Sequence, residues 1–217
     1  MRQEINLLRS IQKPKRNVAL RQNSKSDENI RIAREYGEMY FDGPREFGYG
    51  GYLDDGRWKG VAVDIVEHFK LRKGDKLLDV GAAKGFLVYE LVELGIDAIG
   101  IDISKYALEH CKPEIASRMN HASADNLPFL DGSFQCVISL DTIHNLDRNQ
   151  AKVALREIQR LSGGRSYVKV DSYHTPEQKE IFESWVLTAK FHDYPSGWLQ
   201  LFDEASYTGD YFWTIIE

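Results

Sequence analysis

The sequence predicts an α/β fold, a mostly parallel sheet with helices on both faces. Three observations point to it. From Gly60 onward, strand-like and helix-like segments alternate, which favours parallel strands joined by helical crossovers. The run "CVISL" (136–140) is apolar almost without interruption, as a strand covered on both faces requires. The stretch "LLDVGAAKGFL" (77–87) passes from an apolar strand through a turn of small residues into a helix.

The elements follow in order. In "VAVDIVEHF", Ala62, Ile65, Val66 and Phe69 share one helical face, and Gly74 turns the chain into a strand ending at Asp79. A helix from about Phe86 to Leu94 closes at Gly95, and "AIGID" (98–102) is a second short strand. Ser104 caps the helix "KYALEHC", which Pro113 stops. A short strand near "NHASA" precedes the turn "LPFLDGSF" and the strand "CVISL". Asp147 and Gln150 have the spacing of a capping box for a helix that presents Ala151, Ala154, Leu155, Ile158 and Leu161 on one face. Gly163 and Gly164 lead into "SYVKVD", a further strand. "PEQKEIFESW" and "GWLQLFDEA" read as helices, and residues 185–191 between them fit a helix or a strand. The ending "YFWTIIE" is aromatic and β-branched, and is expected to join the sheet as an antiparallel strand.

A chain of 217 residues, 42% of them hydrophobic, suffices for one well-buried domain with an extension. No apolar run approaches the roughly 20 residues of a membrane span, and the N-terminus has no apolar stretch of leader length, so a soluble cytoplasmic protein without membrane partners is expected. Cys111 and Cys136 lack metal-ligand spacing and read as core thiols, with no metal implied. The net charge of −5 divides unevenly: residues 1–35 hold nine Lys/Arg against four Asp/Glu, which leaves −10 on the remainder. That acidic body argues against a nucleic-acid groove, and the basic head is expected to be a solvated, partly helical arm. The expected organisation is therefore an extension (1–35), a Gly/Tyr-rich segment (36–60) and the α/β domain (61–217).

The turn Gly81-Ala82-Ala83-Lys84-Gly85 stands where open α/β sheets bind ligands, at the C-terminal end of a strand that feeds a helix. A triphosphate loop needs a Lys-Ser/Thr pair closing the glycine run, whereas Gly85 is followed by Phe86 and Leu87. A dinucleotide fingerprint needs glycines at 81, 83 and 86, and two of these are Ala83 and Phe86. With those two disfavoured, "LLDVGAAKGFL" resembles the first motif of class I S-adenosylmethionine-dependent methyltransferases, Asp/Glu-x-Gly-x-Gly-x-Gly. Asp79, Gly81 and Gly85 match it, and Ala83 departs at the middle glycine. Asp102 ends the next strand about twenty residues on, where a Rossmann-like, doubly wound sheet sets a carboxylate against ribose hydroxyls. "ASADNLPFLDGSF" resembles the family's adenine-lining segment, with the family's acidic positions falling on Ser123 and Asp125 and the backbone amide of Ala124 between them. "LDTIHNL" and "ALREIQRLSGG" resemble the loop and helix after the fourth strand. The resemblance covers about Gly74 to Asp171. It implies S-adenosylmethionine as cofactor, held by Asp79, Gly81, Ala83, Gly85, Asp102, Ile103, Ser123, Ala124, Asp125 and Leu140.

Seven of the 17 glycines fall between Gly37 and Gly60, and Tyr36, Tyr40, Tyr49 and Tyr52 lie in or beside that stretch. Glycine gives mobility, and aromatic faces cover a ligand or attract a sulfonium, so the segment reads as a lid with Tyr49, Tyr52, Arg57 and Trp58 toward the substrate. Asp54, Asp55 and Arg57 are natural contacts for a polar acceptor. Methyl transfer mainly requires alignment in a dry site, with a base only when the nucleophile arrives protonated. His144, just after the fourth strand, is the expected catalytic base, with Asp141 and Asp171 beside it. The expected activity is methylation of an O or N atom of a small polar molecule. The "GYGGY" and "GRW" block and the "GDYFWTIIE" ending look like bacterial methyltransferases of unassigned substrate, some associated with cell-surface glycan synthesis. A non-catalytic S-adenosylmethionine-binding module and a dinucleotide-dependent oxidoreductase are the alternatives.

Overall fold

The computed structural model describes residues 2–11 and 18–216. Three short helices come first, α1 (Val18–Ser24), α2 (Asp27–Ala33) and α3 (Glu38–Phe41), followed by α4 (Trp58–Phe69). The α/β alternation then runs β1 (Lys76–Val80), α5 (Phe86–Glu93), β2 (Asp97–Asp102), α6 (Lys105–Glu109), β3 (Met119–His121), β4 (Cys136–Leu140), α7 (Arg148–Ser162) and β5 (Ser166–Ser172). It ends with α8 (Pro176–Trp185), α9 (Pro195–Glu204) and β6 (Asp210–Ile215). Pro113 begins a 3-10 turn rather than only stopping a helix. The segment after Trp185 is neither helix nor strand as far as Phe191.

The six strands lie in the order β3-β2-β1-β4-β5-β6. Strand periodicity sorts their side chains between two cores. Leu78, Val137, Val168 and Val170 pack with Ala151, Ala154, Leu155 and Ile158 of α7 and with Trp198 and Phe202 of α9. On the opposite face Leu77, Cys136, Ile138 and Tyr167 pack with Val61 and Ile65 of α4 and Leu87 and Leu91 of α5. The near-continuous apolar runs of the central strands follow from this double covering. Asp147 and Gln150 form the expected capping box on α7, and Ser104 caps α6.

The last strand departs from the expectation. β6 runs parallel to β5, in register from Tyr167 opposite Asp210 to Ser172 opposite Ile215. The helices α8 and α9 form a long crossover that returns the chain to the strand-start edge, the connection a parallel pair needs. Aromatic and β-branched composition marks a strand but carries no information about its direction.

The basic head is partly helical as expected, through α1 and α2, and its residues 12–17 lie outside the described residues, but its start departs from a solvated arm. Its first described residues run along the outer edge of β6, where Ile5 N–H donates to Tyr211 O at 2.9 Å and Tyr211 N–H to Gln3 O at 3.0 Å. Tyr167 Oη donates to Ile5 O at 3.0 Å, Arg9 pairs with Asp64 at 2.6 Å, and Leu7 is buried in the α4/α5 core. This strap satisfies part of an otherwise open sheet edge. Leu7→Ala is expected to lower the unfolding free energy by about 2 kcal/mol or more, as for a core leucine. Denaturant titration checks it; a change within about 0.5 kcal/mol is what a solvated arm would give.

Candidate functional site

The site forms where β1, β2, β4 and β5 end. β1 and β2 are in register from Lys76 opposite Asp97 to Val80 opposite Ile101, which sets Asp102 beside the turn that follows β1. The turn is built from left-handed backbone: φ is 84° at Gly81, 51° at Ala83 and 71° at Gly85. At Gly81 a Cβ would stand 2.0 Å from Thr142 Oγ1, so a side chain is excluded by the loop after β4 as well as by φ. Ala83 tolerates the left-handed region because its N–H donates to Asp102 Oδ2 at 2.7 Å. The other Asp102 oxygen accepts from Ser104 N–H at 2.8 Å. Asp102 therefore shapes the turn as well as facing it.

Asp79 lies beneath the same turn and is 4% exposed. Burial, aided by the neighbouring Asp102 carboxylate, pushes its carboxyl up to about 7, and the described residues give it no hydrogen bond. Asp102 is also raised, chiefly by burial, with the amides of Ser104 and Ala83 opposing. A pair of buried carboxyls of which one is unbonded suits a ligand bearing a positive charge and hydroxyls. Ile103 is half exposed next to Asp102. Further along, Ser123 Oγ donates to Asp125, Gln150 holds the other Asp125 oxygen at 3.2 Å, and Ala124 is buried between them. Leu140 closes β4 and packs into the α4/α5 core.

Beyond β4 the chain enters the left-handed region at Asp141 (φ 54°). Lys169 Nζ, from β5, lies 2.7 and 2.5 Å from the two Asp141 oxygens, and Thr214 Oγ1, from β6, donates at 3.1 Å. Burial would raise the Asp141 carboxyl, but Lys169, His144 and Thr214 together hold it below the usual carboxylate range. Its side chain is 41% exposed, against 11% for Lys169. His144 is 4% exposed: its Nδ1 accepts the Asp171 N–H at 3.1 Å, and its Nε2 lies 3.4 Å from Asp171 Oδ2. Its carbonyl accepts from Lys190 and Phe191 N–H at 2.9 and 3.1 Å, which pins the irregular segment before α9. Asp141, His144 and Asp171 thus bring ligand atoms within 4.8 Å of one another, but the Lys169 side chain already sits on Asp141.

The Gly/Tyr-rich segment packs onto the turn. The ring of Tyr52 stacks on that of Phe86, the first residue of α5, at 5.2 Å and 15°, and Tyr49 lies 4.6 Å from Tyr52. Trp58 opens α4 and packs into the core beneath it. The charges expected to meet the acceptor are taken within the protein, since Asp54 pairs with Lys112 and Arg57 with Asp55, both at 2.5 Å. Sequence reasoning missed Lys84, Asp42, Lys169 and Thr214. Only Lys169 left a local signal, a lysine alternating with valines in "SYVKVDS".

Comparison with known proteins agrees with this geometry. Residues 78–168 match the family model described as a methyltransferase domain. The eEF1A lysine and N-terminal methyltransferase of Mus musculus is 28% identical over 112 residues, 48% of this chain and 16% of that protein. The demethylmenaquinone methyltransferase of Renibacterium salmoninarum is 32% identical over 124 residues, 55% of this chain and 49% of that protein. The chain thus spans less than half the length of each of these curated relatives. In fold it is similar to a chain from the complex between the Haloferax volcanii Trm112 methyltransferase activator and a methyltransferase, with a TM-score of 0.53, 21% identity, and 70% and 72% of the two chains covered. The turn, the carboxyls of Asp79 and Asp102 beside it and the strand order agree with a methyltransferase domain over residues 78–168, a match that supports S-adenosylmethionine as the cofactor.

Proposed function

We propose that this protein transfers a methyl group from S-adenosylmethionine to an oxygen or nitrogen of a small polar acceptor. The observation that carries the reading is Asp79, a buried carboxyl left without a hydrogen bond by the described residues, under a turn with too few glycines for a pyrophosphate. When bound, S-adenosylmethionine supplies a methyl on a sulfonium, which the acceptor's lone pair displaces in line while the carbon–sulfur electron pair stays with sulfur. Asp79 would hold the cationic amino-acid end, Asp102 the ribose, and Ile103, Ser123, Ala124 and Asp125 the adenine. Gly81, Ala83 and Gly85 let the backbone approach, and Leu140 lines the wall beside β4.

On the acceptor side our reading moves the proton-accepting role from His144 to Asp141. His144 is 4% exposed, with Nδ1 bonded to the Asp171 N–H, whereas the Asp141 side chain, though bonded by Lys169 and Thr214, is held ionised and is 41% exposed. An ionised carboxylate fixed by a lysine orients an O–H or N–H and takes its proton as the methyl arrives. His144 acts as a positioning residue, its ring tying the loop after β4 to the end of β5 through the Asp171 N–H. Tyr49 and Tyr52 exclude water above the site. Glycan-related metabolites belong to this acceptor class, supported by the resemblance of the "GYGGY" block and the chain ending. No helix among the described residues is long and apolar enough to cross a membrane. Labelled-methyl transfer to a panel of sugars, amino sugars and hydroxy acids tests the reading. Formation of S-adenosylhomocysteine only with an acceptor supports it, and cofactor binding without turnover on any acceptor favours the non-catalytic module.

Asp79 gives the reading a pH signature. Only the ionised carboxyl holds a cation, so cofactor affinity is expected to rise by up to about tenfold per pH unit below 7 and to level off above it. The stability of the ligand-free protein should move oppositely. Between the ordinary carboxylate range and 7 the folded state carries one proton more than the unfolded chain, so stability falls as pH rises through that window. Asp79→Asn removes this penalty. It should stabilise the ligand-free protein at pH 8 by up to about 4 kcal/mol, do little near pH 4, and weaken cofactor binding. Thermal melts and calorimetry at the two pH values check both halves.

Asp141→Asn is expected to lower kcat by about 10²–10³ while cofactor affinity changes little. At saturating cofactor the wild-type rate should be flat from about pH 5.5 to 8, because Asp141 stays ionised there. An imidazole base would instead give a rate that climbs across neutral pH.

A further inference from the structure

The cofactor turn and the segment that covers it are joined by a buried charge. Lys84 stands in the turn between Ala83 and Gly85, both left-handed, so its backbone is fixed to the geometry of the site. Its side chain is 7% exposed and extends to the covering segment, with Nζ 2.8 and 2.6 Å from the two oxygens of Asp42 and 3.2 Å from Tyr52 O. Asp42 gathers further partners: Tyr106 Oη, from α6, donates to it at 2.7 Å, and Tyr52 N–H at 3.2 Å. One carboxylate thereby connects the cofactor turn, α6 and the tyrosine that stacks on Phe86.

A lysine this deep needs its acceptors, because a buried ammonium without partners costs several kcal/mol. Every acceptor of Lys84 Nζ found among the described residues belongs to the covering segment, Asp42 and Tyr52. Lifting the segment removes all of these partners together and returns Lys84 and Asp42 to water. The cost of closing a segment with five glycines, from Gly43 to Gly56, is mainly entropic, and this cluster of charge-assisted bonds is placed to offset it. In the second tie, Asp54 to Lys112, the carboxylate is about as exposed as Asp42 (22% against 27%) but the lysine is 28% exposed against 7% for Lys84, so this tie is worth less.

We propose that Lys84, Asp42 and Tyr106 form a latch that closes residues 40–58 over the bound cofactor, which makes Lys84 a positioning residue for methyl transfer. The latch rests on the cofactor reading above, since what it encloses is the S-adenosylmethionine site. Lys84 touches neither reacting atom. It sets how long the tyrosines remain over them, and so governs cofactor residence.

Hydrogen exchange across residues 40–58 and the release rate of S-adenosylhomocysteine test this in wild type, Lys84→Met, Asp42→Asn and Tyr106→Phe. Lys84→Met and Asp42→Asn are each expected to speed exchange in the segment and ligand release about tenfold or more, with β1, β4 and β5 still protected. The double variant should be little worse than either single one, because both remove the same interaction. Tyr106→Phe leaves the ion pair in place and should give a smaller increase in both readouts, which keeps the test available if Lys84→Met does not fold. A wild type that binds S-adenosylhomocysteine, with variants that release it at the wild-type rate, overturns the latch alone. A wild type that binds none overturns the cofactor reading, and the latch with it.

Discussion

The structure depends on one constraint: the chain must pass from β1 into α5 within five residues while leaving its backbone open to a ligand. Three left-handed residues, Gly81, Ala83 and Gly85, accomplish the turn, and the Asp102 carboxylate fixes the middle one through the Ala83 N–H. An alanine in that region costs about 1–2 kcal/mol, and a hydrogen bond to a charged carboxylate is of the same size, so the two nearly balance. The pairing of β1 with β2 supplies the carboxylate. Absence of a side chain at Gly81 admits Thr142 and the loop after β4, and the outward path of Lys84 reaches the covering segment. The β2 carboxylate, the loop after β4 and the Gly/Tyr-rich segment therefore all meet at these five residues.

The same turn explains why the site is stored in an unfavourable ionisation state. Asp79 and Asp102 are both buried, and burial, with the neighbouring Asp102 carboxylate adding to it, pushes the Asp79 carboxyl up to about 7. A core optimised for stability would not hold an unbonded carboxyl there. A ligand with a positive charge turns that penalty into affinity, the exchange of stability for function expected at a binding site. On the acceptor side the logic is reversed: Lys169 and Thr214 neutralise and bond Asp141, which stays ionised and is presented partly exposed.

Local patterns carried the parts of this that are local. The turn, the capping box at Asp147 and Gln150, and the alternation that divides Leu77 from Leu78 between two cores were legible because each is set by residues a few positions apart. The direction of β6 was not, since it follows from where the α8–α9 crossover leaves the chain. Nor was the strap of residues 2–11, whose bonds to Tyr211 and Tyr167 join opposite ends of the sequence. The ion pairs of Lys84 with Asp42 and Lys169 with Asp141 span 42 and 28 positions, beyond any periodicity. His144 was found by its place after β4, but the bond of its ring to the Asp171 N–H and those of its backbone carbonyl to Lys190 and Phe191 had no local signal.

The central claim is that this turn and its two carboxyls form an adenosine and amino-acid site rather than a pyrophosphate cradle. Titration calorimetry of the wild-type protein at pH 8 with S-adenosylhomocysteine, S-adenosylmethionine and NAD in parallel tests it most directly. Saturable binding of the first two, with no heat from NAD, is the predicted result. Tight binding of NAD with no response to S-adenosylhomocysteine would contradict it.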